Sequence, residues 1–277
     1  MKKILVPTDF SPASKAGFES ALLLSSITGA EIFTVNIYQR VENNFTADVK
    51  LLMHEEIEKK RNDRLDRFTA IEAGAVTSGK TKKPTIHKSV RCGDIVNEIV
   101  KAAQEHDVDL ILIGTKAKHN LWEYLFGSVS TNLIKKSTKP VLIVPEGLPF
   151  NRPKNIAFAN DFQTDELSFK YLNDFAAIFG AKVQQVHVNI MPSDFSDLKE
   201  DVVETANAGP KKGRRNYTTV IRDTSVTKGL DYFVKTHDID LLALYLPQRT
   251  FAEELLHRSV SKQLALSSQI PMLIFKE

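Results

Sequence analysis

Residues 114–128 read GTKAKHNLWEYLFGS, between the apolar run DLILI and the stretch VSTNLIKKSTKPVLIVPE. A glycine at a strand end lets backbone approach a ligand closely, because no side chain intervenes. Gly127 and Ser128 open a helix, and a helix amino terminus offers unpaired amides, partial positive charge and here a hydroxyl donor. Together with Lys116 and Lys118 in the loop, this is chemistry suited to phosphate. A second apolar run, in ILVPTDFS, ends at Asp9. In an open α/β sheet ligands bind outside the carboxyl ends of the strands where strand order reverses, so Asp9 faces this loop if the two runs are neighbours there. The same residues also suit plainer roles: turn glycines at 114 and 127, and helix caps at Ser128 and Asp9. Neither G-x-x-x-x-G-K-[ST] nor G-x-G-x-x-G occurs in the chain.

The elements that must position these residues alternate. Short runs rich in Ile, Val and Leu predict strands over Ile4–Pro7, Glu31–Tyr38, Thr85–Arg91, Leu110–Gly114 and Val141–Val144. Helical periodicity fills the gaps, as in Ala13–Thr28 and Asp94–Glu105. Such alternation predicts a parallel sheet covered by helices, an open α/β domain. The charged stretch LLMHEEIEKKRNDRLDRF reads as a solvent-facing helix, with Glu56 and Lys60 in the favourable spacing.

The chain also repeats itself. KKILVPTDFSPASKAGFESALLLSSITGAEIFTVNIY has its counterpart in KNIAFANDFQTDELSFKYLNDFAAIFGAKVQQVHVNI, HDVDLILIGT in HDIDLLALYL, and FGSVSTNLIKKSTKPVLIVPE in HRSVSKQLALSSQIPMLIFKE. Two domains follow, residues 1–147 and 153–277, joined near EGLPFNRPK.

The chain has 277 residues and a formal charge of +3, from 37 basic and 34 acidic side chains, too even a balance to argue for nucleic acid or membrane as a partner. The basic run KKGRR at 211–215 reads as a solvated loop. A single cysteine, Cys92, excludes an internal disulfide and a thiolate metal cluster, consistent with a reducing compartment. The opening MKKILVPTDF lacks a secretory apolar core, and no apolar run approaches a membrane span. A soluble, cytoplasmic protein is expected.

The duplicated layout, the opening ILVPTDFS and the block GTKAKHNLWEYLFGSVSTNLIKKSTKPVLIVP together resemble the universal stress protein family, as a tandem of two domains. The resemblance implies two open five-stranded parallel-sheet domains with helices on both faces, of adenine-nucleotide α-hydrolase-like type. One branch of the family binds ATP through G-x2-G-x9-G-[ST], and another lacks the glycines and does not. The pattern falls on Gly114, Ala117, Gly127 and Ser128, with Val129 as a further amide donor. Asp9 takes the position that holds ribose or adenine, and Val35 the position that contacts the base. Ala117 departs from the pattern, standing where the family has its second glycine.

In the second half Tyr245, Gln248 and Arg258 stand opposite Gly114, Ala117 and Gly127, although Asp161 and Ser259 survive, so that half is degenerate for this mode of binding. The implied ligand is ATP or the related ADP or AMP, with or without magnesium, acting as a sensor or regulatory signal for a protein partner. Two other functions stand beside it: a ligand-free interaction scaffold, and a slow ATPase, for which the loop offers only His119 and Glu123. The apolar terminal strands PVLIVP and PMLIF suit the edge-to-edge pairing of family dimers, here within one chain as a pseudo-dimer or between chains as a homodimer.

Overall fold

A computed structural model of the chain describes residues 1–39, 46–76, 83–116, 128–148, 150–159, 166–191, 199–205, 216–246 and 270–276. They fall into two compact units, the first ending at Phe150 and the second beginning at Asn151. Among them no helix is long and apolar enough to cross a membrane.

The first unit contains β1 (Lys3–Pro7), α1 (Pro12–Thr28), β2 (Glu31–Tyr38), α2 (Ala47–Val76), β3 (Ile86–Cys92), α3 (Ile95–Glu105), β4 (Leu110–Thr115), α4 (Ser128–Lys136) and β5 (Val141–Pro145). Its strands pair in parallel in the order β3-β2-β1-β4-β5. Right-handed crossovers put α1 and α2 on one face and α3 and α4 on the other, and the helices of each pair touch. The central strands are apolar without alternation because both faces are covered: Ile4, Leu5, Val6, Leu110, Ile111 and Leu112 are all buried.

Helix boundaries follow local chemistry. The Ser11 hydroxyl accepts from the Ser14 amide at 3.2 Å, Pro12 follows it, and Gly29 closes α1 in the left-handed region at φ 73°, its N–H donating to Ser25 O. Asp94 caps α3 in the same way, accepting from Asn97 N at 2.9 Å. The long helix α2 is more than the solvent-facing element its charges predict. Glu56 and Lys60 do pair on its exposed side at 2.6 Å, but Leu65, Thr69, Glu72 and Ala73 are buried beneath it, and Glu72 receives Lys15 of α1 at 3.2 Å.

One backbone contact sets the distance between α1 and the sheet. A Cβ on Gly114 would lie 1.6 Å from Ala13 O, and one on Gly17 would lie 2.8 Å from Gly114 N. Helix and strand touch main chain to main chain at the carboxyl end of β4. Gly114 is therefore a packing glycine. It is absent from the glycines at positive φ, which among the described residues are Gly29, Gly93, Gly147 and Gly180, so the expected turn conformation is corrected here.

The second unit contains β6 (Asn155–Ala159), α5 (Glu166–Phe179), β7 (Lys182–Ile190), β8 (Lys199–Thr205), β9 (Asn216–Asp223), α6 (Val226–Thr236), β10 (Leu241–Leu246) and β11 (Met272–Lys276). Its order is β11-β10-β6-β7-β9-β8, parallel except that β8 runs antiparallel to β9. The segment after β7 thus supplies a strand that neither the repeat nor the charged sequence KEDVVET suggests.

The two units share register and chemistry. Lys3 pairs with Glu31 and Ile4 with Ile32 in one, Asn155 with Lys182 and Ile156 with Val183 in the other. In each HD-x-D-L segment the first aspartate, Asp107 or Asp238, turns through positive φ. The second aspartate then accepts from the amides that open the first strand: Asp109 from Lys2 and Lys3, Asp240 from Lys154 and Asn155.

Gly114→Ala should destabilise the first unit by about 3 kcal/mol or more, at or above the usual range for overpacking, because the clash is with backbone and no rotamer relieves it. Thermal unfolding should show the loss as a fall of roughly 5 °C or more in midpoint. An unchanged midpoint would mean that α1 is free to shift away from β4.

Candidate functional site

In the order β3-β2-β1-β4-β5 the chain turns away from β1 toward β2 on one side and from β4 toward β5 on the other. Pairing of Ile4 with Leu110 and Leu5 with Ile111 makes β1 and β4 direct neighbours. The loops leaving their carboxyl ends part, which opens a mouth at the switch point. Asp9 lies just beyond β1, and Gly114 and Thr115 end β4. Since α4 must run back between two parallel strands, its first residue, Ser128, starts at the same end of the sheet.

The turn after β1 is held from several directions. Thr8 N donates to Val35 O at 2.9 Å, Asn36 Nδ2 donates to Thr8 O at 2.6 Å, and Phe10 N donates to Thr8 Oγ1 at 3.0 Å. Thr8 Oγ1 also shares a hydrogen bond with Ser14 Oγ at 3.0 Å. Phe10 sits at φ 65°, a conformation that costs a bulky residue about 1–3 kcal/mol and persists only where surroundings enforce it. Here they do: the Arg64 guanidinium lies 4.5 Å from the Phe10 ring centroid and Phe68 meets that ring edge-on at 5.7 Å.

The consequence of this turn is the presentation of Asp9. Its side chain is exposed, and Oδ1 accepts from Ser11 N at 2.9 Å. Ser11, not Asp9, caps α1, so the capping alternative for Asp9 is corrected: it closes a two-residue turn and keeps its other oxygen outside that bond. Partial burial raises its pKa, but hydrogen bonds from Ser11 and Ser14 outweigh burial and leave the carboxyl below the ordinary aspartate value.

Of the other expected site residues, Val35 is buried in β2 and its carbonyl is taken by Thr8 N, so its side chain offers no surface to a base in this arrangement. Ser128 and Val129 are exposed in the first turn of α4, whose last turn carries Lys135 and Lys136, the charge placement a helix dipole favours. Thr115 Oγ1 is shielded from solvent with no hydrogen-bond partner among the described residues. Lys116 is exposed beside it. Ala117, Lys118, His119, Glu123 and Gly127 lie outside the described residues, as do the run 211–215 and Asp161, Gln248, Arg258 and Ser259.

In the second unit, register puts Tyr245 opposite Phe275, as Gly114 lies opposite Val144 in the first. A buried tyrosine, 6.0 Å from the Phe275 ring, thus occupies the position of the packing glycine. Three contributors to the first site escape a reading of the sequence: Gly17, whose signal is a glycine inside a helix, and Asn36 and Arg61, whose partners are set only by the tertiary fold.

The universal stress protein family model matches residues 1–145. The chain belongs to that family. A universal stress protein of Methanocaldococcus jannaschii is 30% identical over 154 residues, 52% of this chain and 94% of that protein. One from Bacillus subtilis is 27% identical over 144 residues, 51% of this chain and 97% of that protein. The crystal structure of a universal stress protein from Archaeoglobus fulgidus is similar with a TM-score of 0.66, covering 99% of this chain and 96% of that one. At 14% identity this is likeness of fold. In this universal stress protein the mouth between β1 and β4 therefore lies within the matched region.

The Asp9 carboxyl should titrate below an ordinary aspartate, which carbon-13 chemical shifts of the side chain can follow. A carboxylate whose folded pKa lies below its unfolded value adds stability that is in place above the unfolded value and is lost as pH falls through the folded one. Asp9→Asn should accordingly lower stability at neutral pH, where the carboxylate's contribution is fully in place, and flatten the acid limb of stability against pH in that window. A midpoint at or above the ordinary value would mean that the Ser11 and Ser14 hydrogen bonds do not form in solution.

Proposed function

We propose that the first unit binds an adenine nucleotide, ATP or the related ADP or AMP, at the mouth between β1 and β4, as a sensor or regulatory ligand of a stress-response protein. The observation that carries this reading is the convergence of two unlike groups on one switch point: an enforced turn that presents the Asp9 carboxylate, and the exposed amino terminus of α4 at Ser128. A carboxylate suits the hydroxyls or amine of a nucleoside, and helix amides suit its phosphates. The order of Gly114, Gly127 and Ser128, read with the family pattern G-x2-G-x9-G-[ST], supports the same assignment.

The second unit, a second domain of the same family in this reading, has a structural or regulatory role. Tyr245 supports that assignment, because a ring stands where the first unit needs bare backbone. One observation favours a scaffold without ligand instead: Ala117 takes the place of the pattern's second glycine. A protein partner would then read the fold itself.

Mass spectrometry of small molecules released from the denatured protein, followed by titration of ATP, ADP and AMP into the nucleotide-free chain, decides between them. One nucleotide per chain is expected. Gly127→Glu should abolish binding by setting a carboxylate against phosphate, and Ser128→Ala should weaken it by about 1 kcal/mol, roughly fivefold. Absence of any bound or titrating nucleotide would leave the scaffold in front.

A further inference from the structure

Asn36 has no exposure at all, yet its carboxamide is satisfied at both ends. Nδ2 donates to Thr8 O at 2.6 Å, and Oδ1 accepts from Arg61 of α2 at 2.8 Å. The Arg61 guanidinium also lies 5.2 Å from the Tyr38 ring centroid, which fixes it over the end of β2. Burying a carboxamide is unfavourable unless its polar atoms are paired, and an apolar residue would fill a strand interior without that demand, as Ile32 does in β2. The bridge therefore does something packing alone does not require: it ties the carbonyl that precedes Asp9 to helix α2.

Arg61 does not act alone. Arg64 and Phe68, three and seven residues further along the same helix, hold the Phe10 ring in the residue that follows Asp9. One stripe of α2 thus grips the turn on both sides of Asp9. The second unit provides an internal comparison. By the repeat, His187 stands at the position of Asn36, and the chain after β7 forms the strand β8 where the first unit has α2. The bridge accompanies the unit in which Gly114, rather than its counterpart Tyr245, stands at the carboxyl end of the strand.

We infer that Asn36 and Arg61 are positioning residues that hold the turn from Thr8 to Ser11 in its ligand-receiving form, making α2 the element through which the affinity of the site is set. This rests on the reading that a nucleotide binds at the mouth between β1 and β4. Because coupling is reciprocal, displacement of α2 by a partner would weaken nucleotide binding, and bound nucleotide would resist that displacement.

The test uses the full chain, with amide hydrogen exchange followed residue by residue and ATP titration in parallel. Arg61→Ala and Asn36→Leu should each accelerate exchange at the Phe10 and Ser11 amides about tenfold, leaving β4 and the second unit unchanged. Each should weaken ATP binding by about tenfold, within the usual range for coupled sites. The double variant should be no worse than Asn36→Leu, since both changes break one chain of contacts. Arg61→Lys, which retains a donor, should recover most of both losses, and it remains informative if Asn36→Leu fails to fold. Lys60→Ala, on the exposed side of α2, should alter neither quantity.

Unchanged exchange at Phe10 and Ser11 in folded Arg61→Ala would overturn the inference, as would additive losses in the double variant. Accelerated exchange in a chain whose wild type binds no ATP would support the bridge's hold on the turn and overturn its effect on affinity. That result also marks failure of the nucleotide reading, and so separates the two.

Discussion

The first unit depends on a main-chain contact that only glycine permits. Ala13 O occupies the place where a Cβ of residue 114 would project, and Gly17 removes the matching obstacle from α1. Burial of the apolar strands would hold a helix near the sheet in any case, but side chains would keep it farther off. Close approach brings the amino terminus of α1, and with it the turn after β1, against the end of β4. The mouth at the switch point is shaped by that approach.

From this contact the rest of the site follows in order. α1 starts at Ser11 because Ser11 caps it, so the residues between β1 and the cap, Thr8, Asp9 and Phe10, must turn within three positions. A turn that short forces Phe10 into the left-handed region, and α2 supplies Arg64 and Phe68 to hold it there. Locally unfavourable geometry is retained because the surrounding packing over-determines it. Asp9 emerges exposed, oriented by Ser11 and held in its charged form. The second unit keeps the strand register and the Asp240 clamp but places a buried Tyr245 where Gly114 stands, so the frame persists without the bare backbone at that position.

Much of the frame is legible in the sequence, for physical reasons that differ by element. The bounds of β2, Glu31–Tyr38, are read directly, because Gly29 closes the preceding helix and an apolar run follows. The start of α3 is written in Asp94, and the alternation of strands and helices gives the parallel sheet. Asp9 and Gly114 are also legible as special positions. Their reasons are not: the partner of Gly114 is a carbonyl in α1, and the conformation of the Asp9 turn depends on arginines of α2. Contacts between elements far apart in sequence carry no local period. The same holds for β8, whose charged sequence becomes a strand only through pairing with β9.

Ligand recognition at the mouth between β1 and β4 of the first unit, as proposed, should be visible in the backbone of the full chain. Backbone amide chemical-shift mapping of the isotope-labelled full chain during addition of ATP addresses it without any substitution. Shifts concentrated on Thr8 to Ser11, Gly114 to Lys116 and Ser128 to Thr131, with the second unit still, are the expected result. Shifts confined to the second unit, or scattered over the surface with no focus at those three segments, would contradict it.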